Sequence, residues 1–322
     1  MTRIAVCSRS FSRNPVLRAE LQERYDNVTF NDAGLSLAGD ALVDFVRGHD
    51  RAITALERLD ESFFAAVPEL TVVGKYGVGL DMIDLAAMRR LGVRLGWSGG
   101  VNRRSVSELV ISAAIALLRH VPKATAEVRA GGWRQLIGRQ LTDKTVGIVG
   151  CGHIGKDLTP LLKAFGCTVL AHDILDFPEF YAKHGVEAVG LDDLLRRSDV
   201  VTLHLQLDLS TRNILSAERL ALMRPDAILI NCARGGLVDE AAVTAMLKTG
   251  RLGGAAFDVL ANEPPDDQDL LRLDKVMVTP HIGGSAEEAV LAMGRAAIAG
   301  LEHGEVPRPG SEVWRAAGLD AI

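Results

Sequence analysis

The 322-residue sequence has no excess of positive charge: 36 Lys and Arg stand against 41 Asp and Glu, a net charge of −5. A nucleic-acid backbone is bound by clustered cations, so nucleic-acid binding as the main role is excluded, although a local site can still hold a small anion. A long hydrophobic run is missing as well. The longest, near Val110–Leu118, is interrupted by Ser112 and falls short of the ~18 residues a membrane span requires. The four cysteines, Cys7, Cys151, Cys167 and Cys232, are widely spaced without a CxxC pair, which excludes a disulfide framework and a zinc site; no metal is expected. Met1–Ser8 lacks the apolar core of a secretory signal, so a cytoplasmic location is expected. Internal repeats and low-complexity segments are absent too.

What is present is an ordinary globular composition, 48% hydrophobic and 24% charged, long enough for about two domains. Short β-branched runs alternate with helical periodicity, the pattern of parallel sheets covered on both faces. Strands are expected at Ile4–Cys7, Val28–Phe30, Ala52–Thr54, Thr71–Val73 and Val93–Leu95, with helices between them near Val16–Tyr25, Asp40–Arg47, Glu61–Val67 and Asp84–Leu91. Trp97–Gly100 reads as a linker into a long apolar helix capped by Asn102 or Ser105. A second series follows, with six strands at Thr145–Val149, Thr168–His172, Val200–Leu205, Ala227–Asn231, Gly254–Phe257 and Val276–Thr279. A last helix is expected over Ser285–His303.

Gly150-Cys151-Gly152-His153-Ile154-Gly155 is G-x-G-x-x-G between a strand and a helix, Ile154–Phe165. In that setting Gly150 permits a tight turn, Gly152 lets a diphosphate approach the backbone, and Gly155 packs helix on strand. The helix N-terminus offers N–H groups and partial positive charge to the diphosphate. Asp173 stands 18 residues beyond Gly155 at the end of the next strand, placed to accept from ribose hydroxyls and to repel a 2′-phosphate. NAD is therefore expected in preference to NADP.

Arg234, Glu263 and His281 each follow an expected strand, where ligands collect in open parallel sheets. Singly, each has a plain structural explanation. Together behind a dinucleotide turn they match the needs of hydride transfer to a ketone: a proton donor, a cation for an anionic substrate, and a group that keeps the donor protonated.

These motifs carry a resemblance. With Gly77-Val78-Gly79-Leu80-Asp81, Asn102 through Leu109, Asn231–Glu240 and Thr279–Gly284, the sequence resembles the D-isomer-specific 2-hydroxyacid dehydrogenase family, phosphoglycerate dehydrogenase-like branch, over nearly its whole length. The resemblance implies two doubly wound α/β domains with a cleft between them. A flavodoxin-like substrate domain would span residues 1–98 and 286–322, and a Rossmann NAD-binding domain residues 99–285. It implies Arg234 as the substrate ligand, His281 as acid/base, and Glu263 as the histidine's partner. Tyr76, Gly77, Val78 and Asn102 would complete substrate binding, while His153, Ile154, His204, Cys232, Ala233, Asp258 and Gly283 would join the glycine turn around NAD. Asp258 would hold the nicotinamide carboxamide. A homodimer built on the cofactor domain is implied, and Arg134 falls in the segment that crosses between subunits.

Three positions depart from the family pattern: Met82 replaces a common Asn, the Pro before the interdomain helix is missing, and Gln206 stands where Pro is frequent. The end at Ile322 implies no regulatory C-terminal domain and no serine feedback. The expected reaction is hydride transfer at C2 of a 2-hydroxy or 2-oxo acid, with 3-phosphoglycerate, hydroxypyruvate and glyoxylate as candidates. An NAD(H)-sensing regulatory protein of the same fold is the alternative.

Overall fold

The computed structural model describes residues 2–265 and 268–319, and the chain divides into two compact units. The first comprises the residues up to Asn102 and those from Gly284 onward; the second is Arg103–Gly283. The cuts lie a few residues inward of those expected at 98 and 285. The reason is local: the interdomain helix begins at Arg103, and Gly283 is tied by hydrogen bonds to Asp258 and Ser105.

In the first unit, β1 (Arg3–Val6), β2 (Asn27–Phe30), β3 (Arg51–Thr54), β4 (Val72–Lys75) and β5 (Arg94–Gly96) form a parallel sheet in the order β2-β1-β3-β4-β5. This is the flavodoxin-like order. One face is covered by Leu42, Phe63, Phe64, Leu85 and Met88, the other by Phe11, Leu17, Leu21, Ile298 and Leu301. The helix Glu287–His303 returns to this unit because its backbone can lie directly on the sheet. A Cβ on Gly300 would stand 2.6 Å from the Gly96 Cα, and one on Gly74 would stand 2.5 Å from the Ala297 carbonyl oxygen. Only glycine permits that approach.

In the second unit, β6 (Thr145–Val149), β7 (Thr168–His172), β8 (Val186–Ala188), β9 (Val200–Leu203), β10 (Ile228–Asn231), β11 (Gly254–Phe257) and β12 (Val276–Val278) form a seven-stranded parallel sheet. Its order is β12-β11-β10-β9-β6-β7-β8, the dinucleotide-binding winding with one added edge strand. The sequence reading found six of the seven. The edge strand β8 has only three residues and a largely exposed surface, so it lacks the apolar run by which the others are recognised. The helix Arg103–Leu118 lays Val106, Val110, Ala113, Ala114 and Leu117 on the sheet, and Arg104 forks onto Asp157 of the helix His153–Ala164 at 2.9 and 3.0 Å. Neither expected cap operates. Ser105 lies inside the helix and donates to the Gly283 carbonyl, while Asn102 Oδ1 is buried without a hydrogen-bond partner.

Candidate active site

The glycine turn leaves β6, the strand at which the sheet order reverses, so it opens at the switch point where ligands collect. Gly150 has φ +96°, and a Cβ there would meet the His204 carbonyl oxygen at 2.6 Å. Gly155 is similarly closed, 2.6 Å from the Gly150 carbonyl oxygen. Gly152 is different: a Cβ on it meets nothing within 4 Å, and no side chain caps the helix that starts at His153. The turn is thus tight where it packs and open where a diphosphate would approach, with Ile154 half-buried behind it. The residues present fit a dinucleotide.

Asp173 follows β7 and is already oriented. Its Oδ2 accepts from the Cys151 N–H at 2.7 Å and its Oδ1 from the Leu175 N–H at 2.8 Å. His204 follows β9 across the switch point. Its Nε2 lies 3.0 Å from Thr202 Oγ1, and its Nδ1 is enclosed without a partner. Burial pushes the ring down to about 3, so it is neutral at physiological pH.

Cys232 and Ala233 follow β10. Burial, and then the charge of Asp258, pushes the Cys232 thiol up to about 12, which makes it a packing group rather than a nucleophile. Asn231 braces this loop, accepting from the Ala233 N–H at 3.1 Å and donating to the Arg234 carbonyl at 2.8 Å. The partly buried Arg234 donates through Nη1 to the Ala233 carbonyl at 2.7 Å. A Cβ on Gly235 would lie 2.0 Å from the Leu260 carbonyl oxygen. The loop of Arg234 therefore lies directly against the loop that carries Glu263.

His281 and Glu263 meet. Nδ1 of the histidine is 2.9 Å from Glu263 Oε2, and both side chains are accessible, at 53% and 40%. A cavity of about 570 Å³ beside them is lined by Asp258, Glu263, Pro264 and His281 among others. His281 sits at φ +54°, a left-handed conformation that disfavours side chains. Asp258 imposes it. Its carbonyl accepts from the His281 N–H at 2.9 Å. Its Oδ1 accepts from Thr279 Oγ1 at 2.6 Å and the Ile282 N–H at 2.8 Å, and its Oδ2 accepts from the Gly283 N–H at 2.7 Å. Asp258, expected beside the nicotinamide, is therefore also the clamp of the histidine loop.

The remaining expected ligands are placed separately. Tyr76, Gly77, Val78 and Asn102 belong to the first unit. There Tyr76 is buried, Gly77 has φ +117°, and the Val78 carbonyl accepts from the Trp97 indole at 2.9 Å. Arg134 pairs with Glu127 at 2.5 Å. Sequence reasoning missed Thr279 and Glu240 as parts of this arrangement. Both act through single hydrogen bonds to distant segments, which leave no periodic signal.

Residues 111–283, more than half the chain, match the family profile of the D-isomer specific 2-hydroxyacid dehydrogenase NAD-binding domain. D-3-phosphoglycerate dehydrogenase of Methanocaldococcus jannaschii is 41% identical over 229 residues, covering 70% of this chain and 44% of that protein. The chain spans about half the length of the curated relatives it matches. Solved structures match along nearly their full length. The TT0316 protein of Thermus thermophilus has a TM-score of 0.83 at 31% identity, covering 96% of this chain and 100% of that one. The pyruvate reductase of Chlamydomonas reinhardtii has a TM-score of 0.79 at 30% identity, covering 93% and 95%. With its glycine turn, its parallel sheets and this profile match together, the chain belongs to the D-isomer specific 2-hydroxyacid dehydrogenase family.

Proposed function

We propose that this protein is an NAD-dependent oxidoreductase that interconverts a D-2-hydroxy acid and its 2-oxo acid. The observation that carries the reading is the 2.9 Å contact between His281 Nδ1 and Glu263 Oε2, on a loop packed beside that of Arg234. NAD, when bound, supplies the hydride acceptor at its nicotinamide ring. Glu263 fixes the imidazole through Nδ1, which leaves Nε2 to carry the proton. In reduction His281 gives that proton to the developing alkoxide; in oxidation it removes the hydroxyl proton. Arg234 supplies fixed positive charge for the carboxylate and the polarised carbonyl, which explains how a chain of net charge −5 takes an anionic substrate. Asp173, held by two backbone N–H groups, is the basis for preferring NAD.

The relatives named for D-3-phosphoglycerate and pyruvate set the substrates to try: 3-phosphoglycerate with NAD, and glyoxylate, hydroxypyruvate, pyruvate and longer 2-oxo acids with NADH. Turnover is followed by NADH absorbance. Tight NADH binding with no turnover of any substrate would replace this reading with that of an NAD(H)-sensing protein. We further propose a homodimer, supported by large apolar side chains left in the open beside the long helix, Trp133 at 89% and Ile137 at 95% exposure.

A further inference from the structure

Glu240 opens the helix Glu240–Lys248, yet its side chain does not cap that helix. Asp239 does, accepting from the Ala242 N–H at 2.9 Å. The half-buried Glu240 carboxylate turns instead to another loop, where Oε1 accepts from the Ala261 N–H at 2.8 Å. Leu260 seats the start of that loop in the core, and the loop of Arg234 packs on its backbone, while Ala261, Asn262 and Glu263 are exposed. Among the described residues, the backbone N–H groups of Leu260–Glu263 donate only to carboxylates: Leu260 to Glu263 Oε1 at 3.1 Å, and Ala261 to Glu240. Glu263 in turn reaches His281 with its other oxygen. Burial raises the Glu240 carboxyl, the hydrogen bond from the Ala261 N–H partly offsets that rise, and the charge of Glu263 adds a smaller rise. A second carboxylate is thus kept near the first against electrostatic cost, where an uncharged residue would have avoided it.

We propose that Glu240 is a positioning residue for the dyad, holding the loop Leu260–Glu263 so that Glu263 stays within hydrogen-bond reach of His281. It touches neither substrate nor cofactor and acts through Glu263. The inference rests on the proposed oxidoreductase function.

The test compares Glu240→Ala with Glu240→Gln, whose amide oxygen can still accept from Ala261, in the full-length chain, with folding checked by thermal unfolding. Small displacements of a catalytic group are costly, so Glu240→Ala should lower kcat about tenfold while the KM for NADH stays within about twofold. Glu240→Gln should recover to within about threefold of the parent. In a Glu263→Gln background, Glu240→Ala should lower kcat less than about twofold further, because the two residues act in series. A parent-like kcat for Glu240→Ala, an undiminished loss in the Glu263→Gln background, or a Glu240→Gln as impaired as Glu240→Ala would overturn the proposal. A readout without turnover separates this from failure of the functional reading: hydrogen exchange of the Leu260 and Ala261 N–H groups followed by NMR, since the first is bonded to Glu263 and the second to Glu240. Glu240→Ala should speed the exchange of both N–H groups at least about tenfold and Glu240→Gln should restore the Leu260 N–H to within about threefold of the parent, and unchanged exchange in Glu240→Ala counts against the anchor even if no substrate is found.

Discussion

A histidine that serves hydride transfer in both directions starts as imidazolium in reduction and as imidazole in oxidation. Glu263 bonded to Nδ1 stabilises the charged form. Glu263→Gln keeps a hydrogen-bonding side chain but removes the anion, so kcat for reduction should fall at least about tenfold while NADH binding holds, and an unchanged kcat would separate Glu263 from the chemistry. His281→Ala should retain NADH binding and lose about 10²–10⁴-fold in turnover, the range general acid–base catalysis contributes; stopped-flow NADH binding beside kcat checks both parts. Asp173→Ala should narrow the preference for NAD over NADP in a comparison of kcat/KM, since the carboxylate that repels a 2′-phosphate is gone.

His204 gives the opposite pH sign. Its native value near 3 lies below the ordinary histidine value, so the unfolded chain binds a proton that the folded one refuses. Stability from this residue is complete above pH ~6.5 and falls as pH drops toward 3, by up to about 1.4 kcal/mol per pH unit. His204→Gln should flatten the fall in urea midpoint between pH 7.5 and pH 5; an equal slope would show that the ring is charged in the fold. Arg234, Glu263 and His281 were legible because their chemistry is rare behind a glycine turn. The clamp by Asp258 and the brace by Asn231 were not, because each depends on which backbone N–H groups fold back to meet one carboxylate or amide.

At the scale of elements, most strands could be read from β-branched runs, and most ends shifted by only a residue or two. Val276–Thr279 became Val276–Val278, and Val200–Leu205 became Val200–Leu203. The reading failed where an element is defined by a neighbour instead of its own pattern. β8 exists because β7 offers it a ladder, and the helix starting at Arg103 is held by Arg104 on Asp157 and Ser105 on Gly283, while Asn102 Oδ1 makes no capping bond. Gly96 and Gly300 look unremarkable in sequence, one at a strand end and one in an alanine-rich helix, yet they set how closely that helix lies on the sheet. Gly300→Ala would place a Cβ 2.6 Å from the Gly96 backbone, and backbone cannot swing aside as a side chain can. A loss of about 1–3 kcal/mol in urea denaturation is expected, the usual cost of overpacking, and a neutral result would mean that the helix can lift from β5.

At the scale of the molecule, one stretch of exposed apolar side chains remains to be explained. The segment between the helix Val121–Arg129 and β6 presents Trp133 and Ile137 almost fully to solvent, and the adjoining helix adds Val121 at 47% and Val128 at 49%. Single exposed apolar residues are ordinary, but four within seventeen positions of one connection are not what a monomer's surface favours. We propose a second copy of this chain as the occupant, since a two-fold axis lets each copy cover the apolar side chains of the other. Trp133→Glu with Ile137→Glu should therefore convert a dimer to a monomer in light scattering at micromolar concentration. The circular dichroism of the fold should be kept, because both side chains are almost fully exposed. A parent chain that is already monomeric, or a double variant that stays dimeric, would place the interface elsewhere or remove it.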